Sequence, residues 1–213
     1  MNNKKYAGIN CNEKFLEIYT CSDSGWIQDD PFGEDIYFEL LADNKIIGES
    51  ILKALVKSRD VSISEEDRQA LIEGKVTRQW IKEKYPGREW TTPVAAAERF
   101  KKWLADAMKA YNYKTKTALL KNMQHVSVEN DGKNILFSSL WHLTTDSWGD
   151  PDGKTPSVEF TIPSSSSVEV IGAAVKYAIG NCQGKGADFM RDIIFPDGQP
   201  TTFDEYLKEL NLA

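Results

Sequence analysis

The chain is poor in the residues from which metal and redox sites are built. It has two histidines, His125 and His142, and three cysteines, Cys11, Cys21 and Cys182. There is no CxxC pair and no HxxxH spacing, and an odd number of thiols argues against a disulfide framework or a zinc site. Cys182 ends an apolar helical pattern and reads as a small core residue. No apolar run reaches the roughly 18 residues of a membrane span, so no transmembrane helix is expected. The N-terminal segment MNNKKYAGINCNEKF has two lysines with no apolar stretch behind them and does not read as a signal peptide, which makes the cytoplasm the expected compartment. No GxGxxG, P-loop or GxSxG pattern is present. Gly184-Lys185-Gly186 is a glycine turn too short for a P-loop. Asp150-Pro151-Asp152-Gly153 has part of a calcium loop but lacks the further Asp or Asn and the distal Glu. No metal or cofactor is therefore expected.

Positive charge is missing from one long stretch. Cys21 to Asp43 carries Asp23, Asp29, Asp30, Glu34, Asp35, Glu39 and Asp43 without a single Lys or Arg, within a chain of net charge -6. From Lys75 to Lys121 the sign reverses, and bases far outnumber acids. After Val126 the chain is acidic again. An acidic surface disfavours nucleic acid and membrane and suits a basic partner, although exposed acids also simply keep a protein soluble.

What is present is ordinary globular material: 213 residues, 41% hydrophobic and 27% charged, enough for one sizeable core or two small ones. Strands are expected at Phe15–Tyr19, at Ile36 to Leu40 by alternation, and at Val158–Ile162. Another two, His125–Glu129 and Asn134–Trp141, are joined by Asn130-Asp131-Gly132-Lys133, a tight-hairpin signal. Asp43 is a plausible N-cap for a helix through Arg59. Ser62 to Tyr85 is helical in pattern and ends at Pro86-Gly87. Thr92-Pro93 opens the clearest helix, with a stripe of Phe100, Leu104, Ala107, Met108 and Tyr111. A short helix over Thr117–Met123 follows. Ser164 to Ser167 lead into a helix buried along Ile171, Val175, Ala178, Ile179 and Cys182. The tail ends in an amphipathic helix from about Thr202. Cys21–Gly33 and Thr144–Thr155 read as loops.

There is also an internal echo. Ile47-Gly48, Ile51, Ala54-Leu55 and Ser58 match Ile171-Gly172, Val175, Ala178-Ile179 and Cys182 at one constant offset. Two strand-turn-helix units of like geometry account for it, with each glycine permitting close packing on a sheet; amphipathic helices also repeat such spacing by chance.

Two stretches, KTKTALLKNM (Lys114 to Met123) and IPSSSSVEVIGAAVKYAIGNC (Ile162 to Cys182), together with IIGESILKALVKSR (Ile46 to Arg59), resemble the immunity proteins of bacterial contact-dependent growth inhibition (CDI), the CdiI type. The resemblance spans roughly Asp35 to Cys182. KTKTALLKNM is its most specific block, because its lysines, Asn122 and Met123 are not dictated by amphipathicity. Asp60 to Pro93 is longer than the family pattern needs, and the tail after Cys182 lies outside it. The resemblance implies a non-enzymatic protein that binds, one to one, the C-terminal toxin domain of a cognate effector, such toxins often being nucleases.

The fold expected is α+β: one domain over residues 1–213, a mostly antiparallel sheet of about five strands packed by helices at Ile46, Pro93 and Val168. Residues 60–93 and 183–213 read as decorations on it. Composition and placement, not the family, suggest the toxin-binding residues. They are Asp23, Trp26, Asp29, Asp30, Phe32, Glu34 and Asp35 in the first acidic loop, and Asp146, Trp148, Asp150 and Asp152 in the second. Acids would meet a basic cleft, and aromatics set among polar residues would anchor. The alternatives are a small nuclease-like enzyme using His125 or His142, which the acidity of the chain disfavours, and an adaptor for some other basic protein.

Overall fold

The computed structural model describes residues 4–23, 27–144, 146–149 and 158–213. In chain order the strands are β1 (Lys5–Cys11), β2 (Leu16–Asp23), β3 (Ile27–Asp29), β4 (Asp35–Phe38), β5 (Gln124–Asn130), β6 (Asn134–Ser139), β7 (Trp141–Thr144), β8 (Ser147–Gly149), β9 (Val158–Pro163) and β10 (Gln183–Gly184). The helices are α1 (Asn44–Lys57), α2 (Glu65–Ile72), α3 (Arg78–Lys84), α4 (Pro93–Ala110), α5 (Lys116–Leu120), α6 (Val168–Gly180), α7 (Ala187–Ile194) and α8 (Phe203–Glu209). None of them is long and apolar enough to cross a membrane.

Seven strands form one antiparallel sheet in the order β3-β2-β1-β5-β6-β9, with β4 sharing the outer edge of β2 with β3. The centre is the β1–β5 pair, in register from Lys5↔Asn130 to Cys11↔Gln124. Reading outward from it, each half is a three-stranded meander followed by a helix: β1, β2, β4, α1 and β5, β6, β9, α6. The sheet therefore has an approximate twofold axis between β1 and β5.

Side chains alternate across a strand, so each half presents one apolar face. Ala7, Ile9, Leu16, Ile18, Val126, Val128, Ile135 and Phe137 point to the same side and are buried with Ile47, Ile51, Ile171 and Val175 of the two helices. Fully burying such a side chain stabilises by about 1.5–3 kcal/mol, so this layer is the principal core. The caps are local: Asp43 accepts from Lys45 N at the start of α1, Ser167 from Val170 N at α6, and Thr92 from Ala95 N at α4, whose first residue is Pro93. A second cluster of Phe15, Leu104, Ala107, Leu119, Leu120 and Met123 joins α4 and α5 to the end of the sheet. Beyond α6, Met190, Ile194, Phe195 and Tyr206 of the C-terminal segment are buried in the same core as the helix pair.

The α+β class agrees with the sequence reading, while the sheet is larger than the five strands expected. The two additional strands are β1, the central strand, which the sequence reading did not identify, and β3, which lies in a supposed loop; a second supposed loop contributes to a separate sheet. In Cys21–Gly33, β2 continues to Asp23 with Cys21 only 6% exposed, and β3 returns along it. In Thr144–Thr155, β8 pairs with β7 in a separate small sheet that β10 completes. Asp, Gly and Ser obscure strands that tertiary pairing imposes. Ser62–Tyr85 divides into α2 and α3 around Gly74, whose φ of +70° suits a residue without Cβ. Helix α7 was not anticipated.

Candidate functional site

The first acidic segment forms the outer corner of the sheet, and much of its charge is used internally. Asp30 is 5% exposed, and its carboxylate takes two hydrogen bonds from Arg59, Nε to Oδ2 at 2.8 Å and Nη2 to Oδ1 at 2.7 Å. Ser22 Oγ and the Phe32 N–H complete its shell at 2.7 and 3.0 Å. Asp29 is gripped similarly by Arg99, Nε to Oδ2 at 2.9 Å, but its side chain stays 46% exposed. Between the two guanidinium groups lies the Trp90 ring, 5.9 Å from Arg59 Cζ and 5.4 Å from Arg99 Cζ. Phe32, 68% exposed, sits edge-on to Trp90 and under Arg59. Asp23 is held through its backbone, its N–H donating to Arg59 O and its carbonyl accepting from Val61 N. Glu34 O accepts from Thr20 N and its own N–H donates to Thr20 Oγ1, and Asp35 faces solvent.

Asp29, Asp30, Phe32, Glu34 and Asp35 are thus gathered on one corner by β2, β3 and β4. Asp30 presents no carboxylate to a partner. In the second acidic segment, Asp146 is paired with Lys116 at 2.6 Å. Trp148 stacks on His142 with ring centroids 5.0 Å apart and donates its Nε1–H to Met123 O at 3.1 Å. Trp26, Asp150 and Asp152 lie outside the described residues.

The sequence reading missed a polar network on the face of the sheet turned away from α1 and α6. Glu17, 2% exposed, accepts from Tyr37 Oη at 2.5 Å and Trp103 Nε1 at 2.6 Å on one oxygen, and from Asn10 Nδ2 at 2.7 Å on the other. Asn10 Oδ1 meets His125 Nδ1 at 2.8 Å. The register makes this possible, because Asn10 lies opposite both Glu17 and His125. Gly8 contributes space: a Cβ there would sit 2.3 Å from the Tyr19 ring, which lies across β1. The signal was present in the alternation, since Asn10, Glu17, Tyr19, Tyr37 and His125 occupy the strand positions between the apolar ones.

Burial pushes Glu17 up to about 7; Asp35 adds to this, and the donors from Tyr37, Asn10 and Trp103 oppose it. Asp35, at the exposed rim of this network, is raised as well by partial loss of solvent around its carboxyl, with Glu17 and Tyr37 opposing the shift. Burial lowers His125 to about 4. His142 Nδ1 lies 2.9 Å from Lys185 O. Each histidine is therefore engaged in holding a neighbour in place. The three thiols are buried and free, and burial drives them up, Cys182 to about 12, which makes them poor nucleophiles. Among the described residues, no group of three or more His, Cys, Asp or Glu is placed to hold a metal ion.

Comparison with known proteins gives this architecture a family. The model of the CDI immunity proteins, CdiI, matches residues 5–182, from β1 through α6. The immunity protein CdiI-YPIII of Yersinia pseudotuberculosis serotype O:3 (strain YPIII) is 27% identical over 179 residues, 84% of this chain and 96% of the relative. Among solved structures, a protein of unknown function from Neisseria meningitidis, NMB0488, is 25% identical with a TM-score of 0.64, covering 86% of this chain and 98% of its own. A CdiA-CT/CdiI toxin and immunity complex from Yersinia pseudotuberculosis has a TM-score of 0.68 at 24% identity, covering 84% and 98%, a likeness of fold. The match begins at the first strand and runs just past the second helix of the core pair, covering most of the chain, and the chain belongs to the CdiI family of CDI immunity proteins.

Proposed function

We propose that this protein protects its cell by forming a one-to-one complex with the C-terminal toxin domain of a cognate CDI effector, in the cytoplasm, and that this toxin is a nuclease. Family membership over residues 5–182 is the observation that carries the reading. The Yersinia relative of like fold was solved as a toxin and immunity complex, which supports a protein as the partner. The corner of β2, β3 and β4 suits such a partner. Its exposed Phe32 is an apolar anchor, and Asp35 offers negative charge near it, while the charge of Asp29 is balanced by Arg99. A nuclease holds an anionic substrate in a basic cleft, and acids placed against that cleft would speed association and exclude substrate.

The test is calorimetric titration with the toxin domain encoded beside this gene, paired with a growth-rescue assay. Stoichiometric binding with rescue is the expected result. Absence of both would leave only a shared fold and reopen the enzyme and adaptor readings.

A further inference from the structure

Five arginine ion pairs lie within the described residues. In four of them the acid is the more exposed partner: Arg68–Glu65, Arg78–Glu98, Arg99–Asp29 and Arg191–Asp188. Arg59–Asp30 is inverted. The Asp30 side chain is wholly enclosed, while that of Arg59 is 45% exposed. Two of the five guanidinium N–H groups, on Nε and Nη2, are turned inward onto Asp30, and no described residue accepts from Nη1. The Asp30 carboxylate is already satisfied by donors from Ser22, from Phe32 and twice from Arg59, so it makes no demand on the outer edge of the fork.

That edge is also held in place. The Phe32 ring lies 5.5 Å and the Trp90 ring 5.9 Å from Arg59 Cζ, and the two rings meet edge to face at 6.5 Å. The buried acid and the rings fix the guanidinium plane, so little side-chain freedom is left to lose on binding. Trp90 is only 6% exposed, and its Nε1–H is a buried donor with no partner among the described residues, so this chain alone does not complete the corner. Phe32, 68% exposed, adds apolar surface beside the fork. An arginine set among aromatic rings has the composition of a binding hot spot. The surrounding acids narrow its choice of partner. Glu34 and Asp35 follow Phe32 directly in the loop, within a chain of net charge -6. They repel a polyanion such as nucleic acid, whereas a lone carboxylate on a folded domain can meet the one open cation.

We propose that the outward edge of Arg59, backed by Phe32 and Trp90, receives an aspartate or glutamate carboxylate of the toxin domain. The inference rests on the toxin-binding reading above and adds to it a contact of opposite sign: among acids that face a basic partner, one arginine takes one acid of that partner. Guanidinium and carboxylate match as a two-bond fork. A single cation within an acidic surface also fixes the register in which the two surfaces meet, because a shifted docking sets like charges against each other.

The experiment is calorimetric titration of the full chain and its variants with the same toxin domain, each variant first checked for folding by thermal unfolding. Arg59→Lys keeps a cation over Asp30 but loses the fork, and it should weaken binding at least about tenfold. Asp30→Asn combined with Arg59→Gln removes both charges together, strands no buried anion, and should weaken binding as much; should Arg59→Lys fold poorly, this neutral pair decides by itself. Arg78→Lys is the control. Arg78 is 46% exposed and ion-paired like Arg59, but to an exposed acid, and its change should alter binding by less than about twofold. Replacing the toxin's Asp and Glu residues one at a time by Asn and Gln should then find one whose loss weakens binding to the wild-type chain at least about tenfold and to the Arg59 variants less than about twofold, a double-mutant cycle. Wild-type affinity in both Arg59 variants, or a scan in which no toxin carboxylate couples to Arg59, would overturn the carboxylate site and leave toxin binding intact. No binding by the wild-type chain would overturn both.

Discussion

Gly48 of α1 and Gly172 of α6 face one another's helices at the crossing. A Cβ on Gly48 would fall 1.8 Å from Val168 O, and one on Gly172 would fall 1.8 Å from Asn44 O. The reciprocity follows from the twofold relation of the two halves. The last positions of the echo obey it as well. Ser58 Oγ accepts from Tyr6 N at 2.9 Å, and Cys182 Sγ donates to His125 O at 3.5 Å. Tyr6 and His125 are each the second residue of a central strand. The glycines were expected to admit a sheet, but they admit a helix backbone.

Gly48→Ala and Gly172→Ala should each cost about 3 kcal/mol or more, at the upper end of overpacking effects, because the added methyl meets backbone that cannot rotate away. Gly74→Ala, at a positive φ in open space, should cost only about 1 kcal/mol. Urea unfolding of the three variants separates the two cases, and equal losses would mean that the helices are free to separate.

The Asp30–Arg59 pair should be asymmetric. The Asp30 carboxylate is wholly inaccessible, whereas the Arg59 side chain is 45% exposed. Arg59→Ala strands a buried anion and should cost about 3 kcal/mol; Asp30→Asn leaves a cation that can turn to water and should cost about 1 kcal/mol. Denaturant midpoints of the two variants give the comparison, and the reverse order would place the pair at the surface.

Stability should vary little between pH 4.5 and 6.5, because two groups oppose each other. Glu17, raised from 4.5 to about 7, holds its proton in the folded state where the unfolded chain has lost it, so its contribution declines as pH rises through that range. His125, lowered from 6.5 to about 4, stays neutral when folded, so its contribution is present above 6.5 and is lost as pH falls toward 4. Glu17→Gln should therefore expose a melting temperature that rises with pH, and His125→Gln one that falls. Thermal scans across this interval check both slopes, and parallel profiles would mean that neither group is perturbed.

Toxin association should depend on the β2–β3–β4 corner. Glu34→Lys combined with Asp35→Lys should slow association at least about tenfold at low salt and flatten its salt dependence, and Phe32→Ala should act on dissociation. Asp30 is left out because its carboxylate is enclosed, and Asp29 because Arg99 holds it. Association rates at two ionic strengths decide the matter: unchanged rates would move the interface elsewhere on the molecule.

Much of the architecture was legible in the chain because its signals are local. Caps at Asp43, Ser64 and Thr92, the Asp131-Gly132 hairpin and the helical stripes depend on neighbours within a few residues. The repeated Ile-Gly spacing marked two helices of like pattern, but that they pack on one another was decided by the fold. The central strand β1 was not identified, and the short strands β3 and β8, which fold back on the strands just before them, were hidden by the loop-like residues they and their turns carry.

The acidic stretch determined by itself that the segment from Cys21 to Asp43 carries only negative charge. Which of those acids face outward was decided by folding alone. Arg59 and Arg99 come from segments 29 and 70 residues away to engage Asp30 and Asp29, and Asn10, Glu17, Tyr37, Trp103 and His125 meet only through sheet register and the placement of α4. Local sequence sets the conformation and charge of each segment. Whether a carboxylate is spent inside or kept for a partner depends on distant side chains that only the tertiary structure brings within hydrogen-bond reach.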